Sequence, residues 1–379
     1  MKGPVYLDYN ATTPVDRKVS EAMLPFVHGY FGNPSSSYEP GRKAKEAIEK
    51  AREQTAGLIQ ASPDEIIFTS GGTESNNHAL RGAAFKHQEK GRHIITSSIE
   101  HPSVKEVCKY LESVGFEITW LPVNHSGTVN IGDVEEAIRP DTILISIMHA
   151  NNEVGSIQPV EEIASLAREN DILFHTDASQ SAGKISVNVE DLSADMLTIA
   201  GHKLYAPKGI GALYIRNGIS IDNLLFGGGQ ENGIRPGTEN TSQIVGLGKA
   251  AETARQELDA NRKHMWELRE HLVEGLINQM GNQVILNTHL DNSLPNTLSV
   301  AFDKVEAHTL ASLLSSDVLI STGSACHAEI TEISPVLEAM NVKKMTAAGT
   351  VRISIGKYTT TEEIDLAIRA ITQIVRKLS

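Results

Sequence analysis

From about residue 40 to residue 215 the chain alternates short apolar runs with longer amphipathic ones, and this rhythm restricts its fold more than any other feature. Runs of strand length occur at Ile66-Ile67-Phe68, His93 to Thr96, Phe116 to Leu121, Thr142 to Met148, Ile172 to Thr176, Met196 to Ala200 and Gly211 to Ile215. Stretches with helical spacing lie between several of them. Ala44, Ala47, Ile48, Ala51 and Leu58 share one helical face, while Ser103 to Val114 and Val160 to Arg168 each follow a proline suited to a first helical turn. Strands and helices in this order predict an α/β fold with a mainly parallel seven-stranded sheet covered by helices.

After Gly227-Gly228-Gly229 the texture changes to a charged amphipathic helix from about Ser242 to Met280. Beyond it, strands near Val284-Ile285-Leu286, Thr297 to Phe302, Val318 to Ser321 and Val351 to Ile355 alternate with helices at about Glu306 to Ser315 and Thr361 to Leu378. This pattern predicts a smaller α+β domain. The expected division is a large domain over residues 15–255 and a small one from residues 1–14 and 256–379, within the two or three domains that 379 residues allow.

A net charge of -13 argues against a nucleic acid or an anionic membrane as partner, because both attract basic surfaces. No apolar run approaches the roughly 18 residues that span a bilayer, and the first residues lack the apolar core of a signal peptide. A cytoplasmic location is therefore expected. Two cysteines, Cys108 and Cys326, support neither a disulfide framework nor a cysteine-rich zinc site.

Polar residues at the ends of apolar runs carry the chemical signal. Lys203 follows the run ending at Ala200; it is either a surface lysine at a turn or a desolvated amine able to condense with an aldehyde such as that of pyridoxal phosphate. Asp177 also ends an apolar run, where an open parallel sheet gathers its ligand-binding groups, and its carboxylate suits a protonated pyridine nitrogen. Ser70-Gly71-Gly72-Thr73-Glu74 follows a strand and opens a helix, an arrangement suited to a phosphate or to an ordinary capped turn. His101 is either structural or placed to stack on a planar ring and exchange protons. Asn152 lies in a polar loop after the strand ending near Met148, and Gln180 follows Asp177 by three residues. Arg352, inside an apolar alternation, fits either a bound carboxylate or an internal salt bridge. Cys326 sits beside His327 in a small-residue loop where a thiolate could form, whereas Cys108 falls in the apolar register of a helix.

Taken in chain order, Tyr6-Leu7-Asp8-Tyr9-Asn10-Ala11-Thr12-Thr13-Pro14, Gly32-Asn33-Pro34-Ser35-Ser36, Thr69-Ser70-Gly71-Gly72-Thr73-Glu74-Ser75-Asn76, Glu100-His101, Asn151-Asn152-Glu153, Asp177-Ala178-Ser179-Gln180, Gly201-His202-Lys203, Arg235-Pro236-Gly237-Thr238 and Arg352-Ile353-Ser354 form one pattern. The chain resembles the cysteine desulfurases and selenocysteine lyases of the class V aminotransferase group, which are fold-type I pyridoxal-phosphate enzymes. The resemblance implies that Lys203 bonds the cofactor aldehyde and shuttles protons. It implies that Asp177 pairs with the pyridine nitrogen, Gln180 with the ring oxygen, and that His101 stacks over the ring. Gly72, Thr73 and His202 would hold the phosphate, with Thr238 supplied by the other subunit of a homodimer. Asn152 and Arg352 would position the substrate, and Cys326 matches a mobile-loop nucleophile that receives sulfur as a persulfide. Ala200 departs from the phosphate-binding serine of many desulfurases. Ser36-Ser37-Tyr38, Ala325-Cys326-His327 and Ser334-Pro335-Val336-Leu337 lean toward selenocysteine lyase, with cysteine desulfurase as the alternative. The expected substrate is L-selenocysteine or L-cysteine, the product L-alanine, and the further partner a sulfur or selenium acceptor protein.

Overall fold

The computed structural model describes residues 3–322 and 333–378. After a short first strand, β1 (Val5–Tyr6), come the seven strands of the main sheet. These are β2 (Ile66–Thr69), β3 (His93–Ser97), β4 (Glu117–Leu121), β5 (Thr142–Ser146), β6 (Leu173–Asp177), β7 (Met196–Ala200) and β8 (Gly211–Ile215). Their order is β2-β8-β7-β6-β5-β3-β4. β8 is antiparallel to both β2 and β7, whereas the other pairs are parallel. A physical reason for the reversal lies in the short link 201–210, which holds no crossover helix and so returns the chain antiparallel. Because only β8 is reversed, the C-terminal ends of β2, β3, β5, β6 and β7 share one edge of the sheet.

Helices α1 (Arg17–His28), α2 (Glu39–Ile59), α3 (Gly72–His87), α4 (Pro102–Ser113), α5 (Ile131–Ala137), α6 (Val160–Glu169) and the 40-residue α7 (Thr241–Met280) accompany this sheet. The strand period of two divides its side chains between two cores. Ile66, Phe68, Ile95, Ile145 and Leu197 pack with Ile48 of α2 and Ile163 of α6. Ile67, Ile94, Leu144, Met196 and Leu213 pack with Leu80 of α3 and Val107 of α4.

The later residues build a second sheet and core. β9 (Val284–Leu286), β10 (Thr297–Phe302) and β12 (Thr350–Ser354) pair antiparallel, and β11 (Val318–Leu319) pairs parallel with β1. Val300, Phe302, Val351 and Ile353 bury against Leu268, Leu272 and Leu276 of α7 and against Ile364 and Ile371 of the helix Thr361–Leu378. The first half of α7 instead buries Ile244, Leu247 and Ala251 in the core of the main sheet. One helix thus spans both cores. No described helix is long and apolar enough to cross a membrane.

Candidate active site

A cavity of about 390 Å³ opens along the shared strand-end edge. Gly72, Thr73, His101, Asn152, Asp177, Gln180, His202, Lys203 and Arg352 all line it, together with Ala200. These residues come from the ends of β2, β5, β6 and β7, from the start of α4, and from β12 of the second sheet. Thr238 lies elsewhere, exposed on this chain's surface. Its segment is held near the start of α3 by the Arg235 guanidinium, whose Nε donates to Glu74 at 2.8 Å. Cys326 and His327 lie outside the described residues.

Lys203 projects from a single 3-10 turn, Gly201–Lys203, directly after β7. Its Nζ donates to the carbonyl oxygens of Asn10 and Ala11 at 2.6 and 2.7 Å. Burial lowers its pKa to about 8, and the charge of Arg352 adds to the fall, while Asp8 and Asp177 oppose it. His202 is pushed down to about 4, chiefly by desolvation and then by Lys203. Its neutral ring contacts Thr12 Oγ1 at 3.2 Å.

Asp177 is held by donors that the sequence did not single out. Its Oδ2 accepts from Asn76 Nδ2 at 2.7 Å and its Oδ1 from the Ser179 amide at 2.9 Å. The second amide hydrogen of Asn76 goes to Ser103 Oγ at 2.8 Å. Ser103 in turn approaches His101 Nδ1 with its hydroxyl at 2.8 Å and its backbone N–H at 3.1 Å. A nitrogen that accepts a backbone N–H carries no proton, so the neutral His101 ring bears its hydrogen on Nε2. Desolvation lowers the His101 pKa, which favours that neutral form.

Arg352 makes the internal ion pair that its sequence context left open. Its Nη2 donates to Asp8 Oδ1 at 2.6 Å and its Nη1 to the Asn152 carbonyl at 3.2 Å. Its Nε is buried and has no partner among the described residues. The guanidinium lines the cavity with only two of its five N–H donors given to these partners, which suits a small carboxylate.

The residues fit pyridoxal phosphate. Gly71 precedes α3 with φ +149° and provides no side-chain cap, leaving the amides of the first helical turn available to an anion. A Cβ on Gly72 would stand 3.2 Å from both the Ala200 Cβ and Ser179 Oγ, so glycine keeps that approach clear. Asp177 offers a carboxylate, Lys203 a desolvated amine, and the cavity has the volume of an ordinary small-ligand site.

Residues 5–366 match the model of the family described as aminotransferase class-V. The chain belongs to that family. Its members are pyridoxal-phosphate enzymes of fold type I, as the sequence implied. Across 379 residues the chain is 50% identical to cysteine desulfurase IscS of Dictyoglomus turgidum, covering 100% of this chain and 96% of that protein. Among solved structures, a NifS-like protein superposes with a TM-score of 0.93 at 43% identity, covering 99% of this chain and 100% of the other. SspA in complex with cysteine superposes with a TM-score of 0.84 at 43% identity, covering 94% and 100%. Of the two activities weighed from sequence, these relatives favour cysteine desulfurase over selenocysteine lyase.

Asn10, Asn76, Ser103 and Lys184 are the site residues that sequence reasoning did not assign. Asn10 and Asn76 lie inside the quoted motifs, but their contacts reach 193 and 101 residues along the chain.

Proposed function

We propose that this class V aminotransferase is a pyridoxal-phosphate-dependent cysteine desulfurase that converts L-cysteine to L-alanine and passes the sulfur to an acceptor protein. The observation that carries the reading is the convergence of the desolvated Lys203 amine, the Asp177 carboxylate and the Arg352 guanidinium on one cavity. The similarity to cysteine desulfurase IscS supports the substrate.

When bound, pyridoxal phosphate supplies an electron sink for the pair released as the substrate loses its α proton. Lys203 Nζ, whose lowered pKa gives it a substantial neutral fraction near neutral pH, would bond the cofactor, accept that proton and return it. Asp177, fixed by Asn76 and the Ser179 amide, holds a proton on the pyridine nitrogen. Gly72, Thr73 and His202 hold the phosphate with no hydroxyl from Ala200, and Gln180 donates to the ring oxygen. The neutral His101 ring covers one face. Arg352 and Asn152 orient the substrate carboxylate beside Asp8. On sequence grounds, the Cys326 thiolate attacks the substrate sulfur: the S–S bond forms as the carbon–sulfur bond breaks, and the carbon takes up a proton.

The same reading makes the protein a cytoplasmic homodimer in which Thr238 completes the partner's phosphate site. Support comes from apolar side chains left in solvent on this chain, with Phe31 82% and Phe226 90% exposed beside Leu24, Val27 and Leu225. The division at residue 255 belongs to it as well: residues 15–255 carry the cofactor, and residues 1–14 with 256–379 bring Asp8 and Arg352 to the substrate. L-Selenocysteine is the second substrate on this reading, since a selenol leaves more readily than a thiol. Alanine release from cysteine and from selenocysteine, assayed side by side under reducing, anaerobic conditions, tests the proposal. Alanine from cysteine is expected; 3-mercaptopyruvate with aminated cofactor would make the protein a transaminase instead.

A further inference from the structure

Behind the cavity wall lies an amine that none of the steps above uses. Lys184 is only 6% exposed. A tight turn through Gly183, at φ +79°, directs the chain inward there. Its Nζ donates to Gln180 Oε1 at 2.8 Å and to Asn10 Oδ1 at 3.2 Å, and no carboxylate pairs with it among the described residues. Burial and the charges of Lys203 and Arg352 hold its pKa well below an ordinary lysine. Both hydrogen bonds of the amine go to amide oxygens.

These bonds settle which way the Gln180 amide faces. Oε1 receives the Lys184 amine, while Nε2 donates to the Asn10 carbonyl at 3.1 Å. Turning the amide over would set donor against donor at Lys184 and acceptor against acceptor at Asn10. The same Asn10 carbonyl accepts from Lys203. Asn10 itself does not depend on Lys184, because its Oδ1 also accepts from Asn296 at 3.0 Å and its Nδ2 donates to Thr297 Oγ1 at 2.8 Å. Loss of the lysine donor therefore falls on Gln180.

We infer that Lys184 is a positioning residue that locks the Gln180 amide with its N–H₂ end toward the cavity, making Gln180 a donor to the ring oxygen of the bound cofactor. The inference rests on the proposed Gln180 contact. An N–H donor stabilises an oxygen anion, whereas a turned amide would present Oε1 and oppose it. Lys184 thus acts on the electronic state of the cofactor without touching it.

The test is a pH titration of the visible absorption of the holoenzyme, carried out for wild type, Lys184→Met, Gln180→Ala and the double variant, with melting temperature as the check on folding. Gln180→Ala should raise the spectral pKa by about 1 to 2 units, the scale of one hydrogen bond to a charged group. Lys184→Met should raise it in the same direction, and the double variant should shift no further than Gln180→Ala alone. Lys184→Gln, which keeps one amide donor, should shift less than Lys184→Met and carries the test if the methionine variant does not fold. A spectral pKa unmoved by the Lys184 variants while Gln180→Ala moves it would overturn the inference, as would full additivity in the double variant. A spectrum unmoved by Gln180→Ala would instead remove the Gln180 contact, and the inference with it.

Discussion

The Lys203 amine should titrate near pH 8 in the apoprotein, where an ordinary lysine titrates at 10.5. Burial in the cavity wall is the main cause, and the Arg352 charge acts in the same direction. At about pH 7.5, a group with a pKa of about 8 is roughly 24% neutral, against about 0.1% for one at 10.5, a gain of about 240-fold in nucleophilic amine. Trace labelling with acetic anhydride reads this directly, because only the neutral amine reacts. The labelling of Lys203, followed by peptide mass spectrometry, should rise with pH, reach its midpoint near pH 8 and level off above about 9. The sign of each neighbour follows from its charge. Arg352→Met removes a cation that disfavours the ammonium and should move the midpoint up; Asp8→Asn removes an anion that favours it and should move the midpoint down. A wild-type midpoint near 10.5, or equal midpoints in the two variants, would refute the assignment of Lys203 as a desolvated amine tuned by the cavity.

Arg352→Ala should weaken amino-acid binding by about 2 to 5 kcal/mol, since the substrate carboxylate loses its paired cation, while cofactor affinity changes little; an unchanged KM in a folded variant would count against this role. Mixing inactive Lys203→Ala subunits with inactive Thr238→Ala subunits should restore part of the activity, because one of the hybrid's two sites then has both residues intact. A fully active monomer would contradict that arrangement. Cys326→Ala should abolish alanine formation from cysteine while leaving measurable cleavage of selenocysteine, measured as alanine at matched cofactor occupancy; equal loss with both substrates would reject the leaving-group argument.

Strand positions were legible where apolar runs are short and bounded. Met196–Ala200, Gly211–Ile215, Val284–Leu286 and Thr297–Phe302 fall where the pattern sets them. The reversal of β8 left no mark in that pattern, because a strand buried on both faces reads the same in either direction. The two-residue strand Val5–Tyr6 is too short to show a period, and α1 and α5 went unread, whereas the strand expected at Val318 to Ser321 forms over Val318–Leu319. Lys203, Asp177 and Arg352 stood out as polar residues in apolar settings. Asn76, Ser103 and Lys184 did not, since an amide, a hydroxyl or a lysine on a helix or turn is ordinary until its distant partner is known. Arg352 shows the limit most clearly: the apolar alternation around it signalled a paired guanidinium, yet its partner Asp8 lies 344 residues away.

The central claim, that this cavity binds pyridoxal phosphate through Lys203, is tested most directly by treating the purified holoenzyme with borohydride and sequencing its peptides by mass spectrometry. Reduction makes the bond between aldehyde and amine permanent. The account predicts the phosphopyridoxyl mass on Lys203 and none on Lys184, whose amine is turned to Gln180 and Asn10. Finding the label on Lys184, on Lys208 or on any other lysine, with Lys203 unmodified, would contradict it.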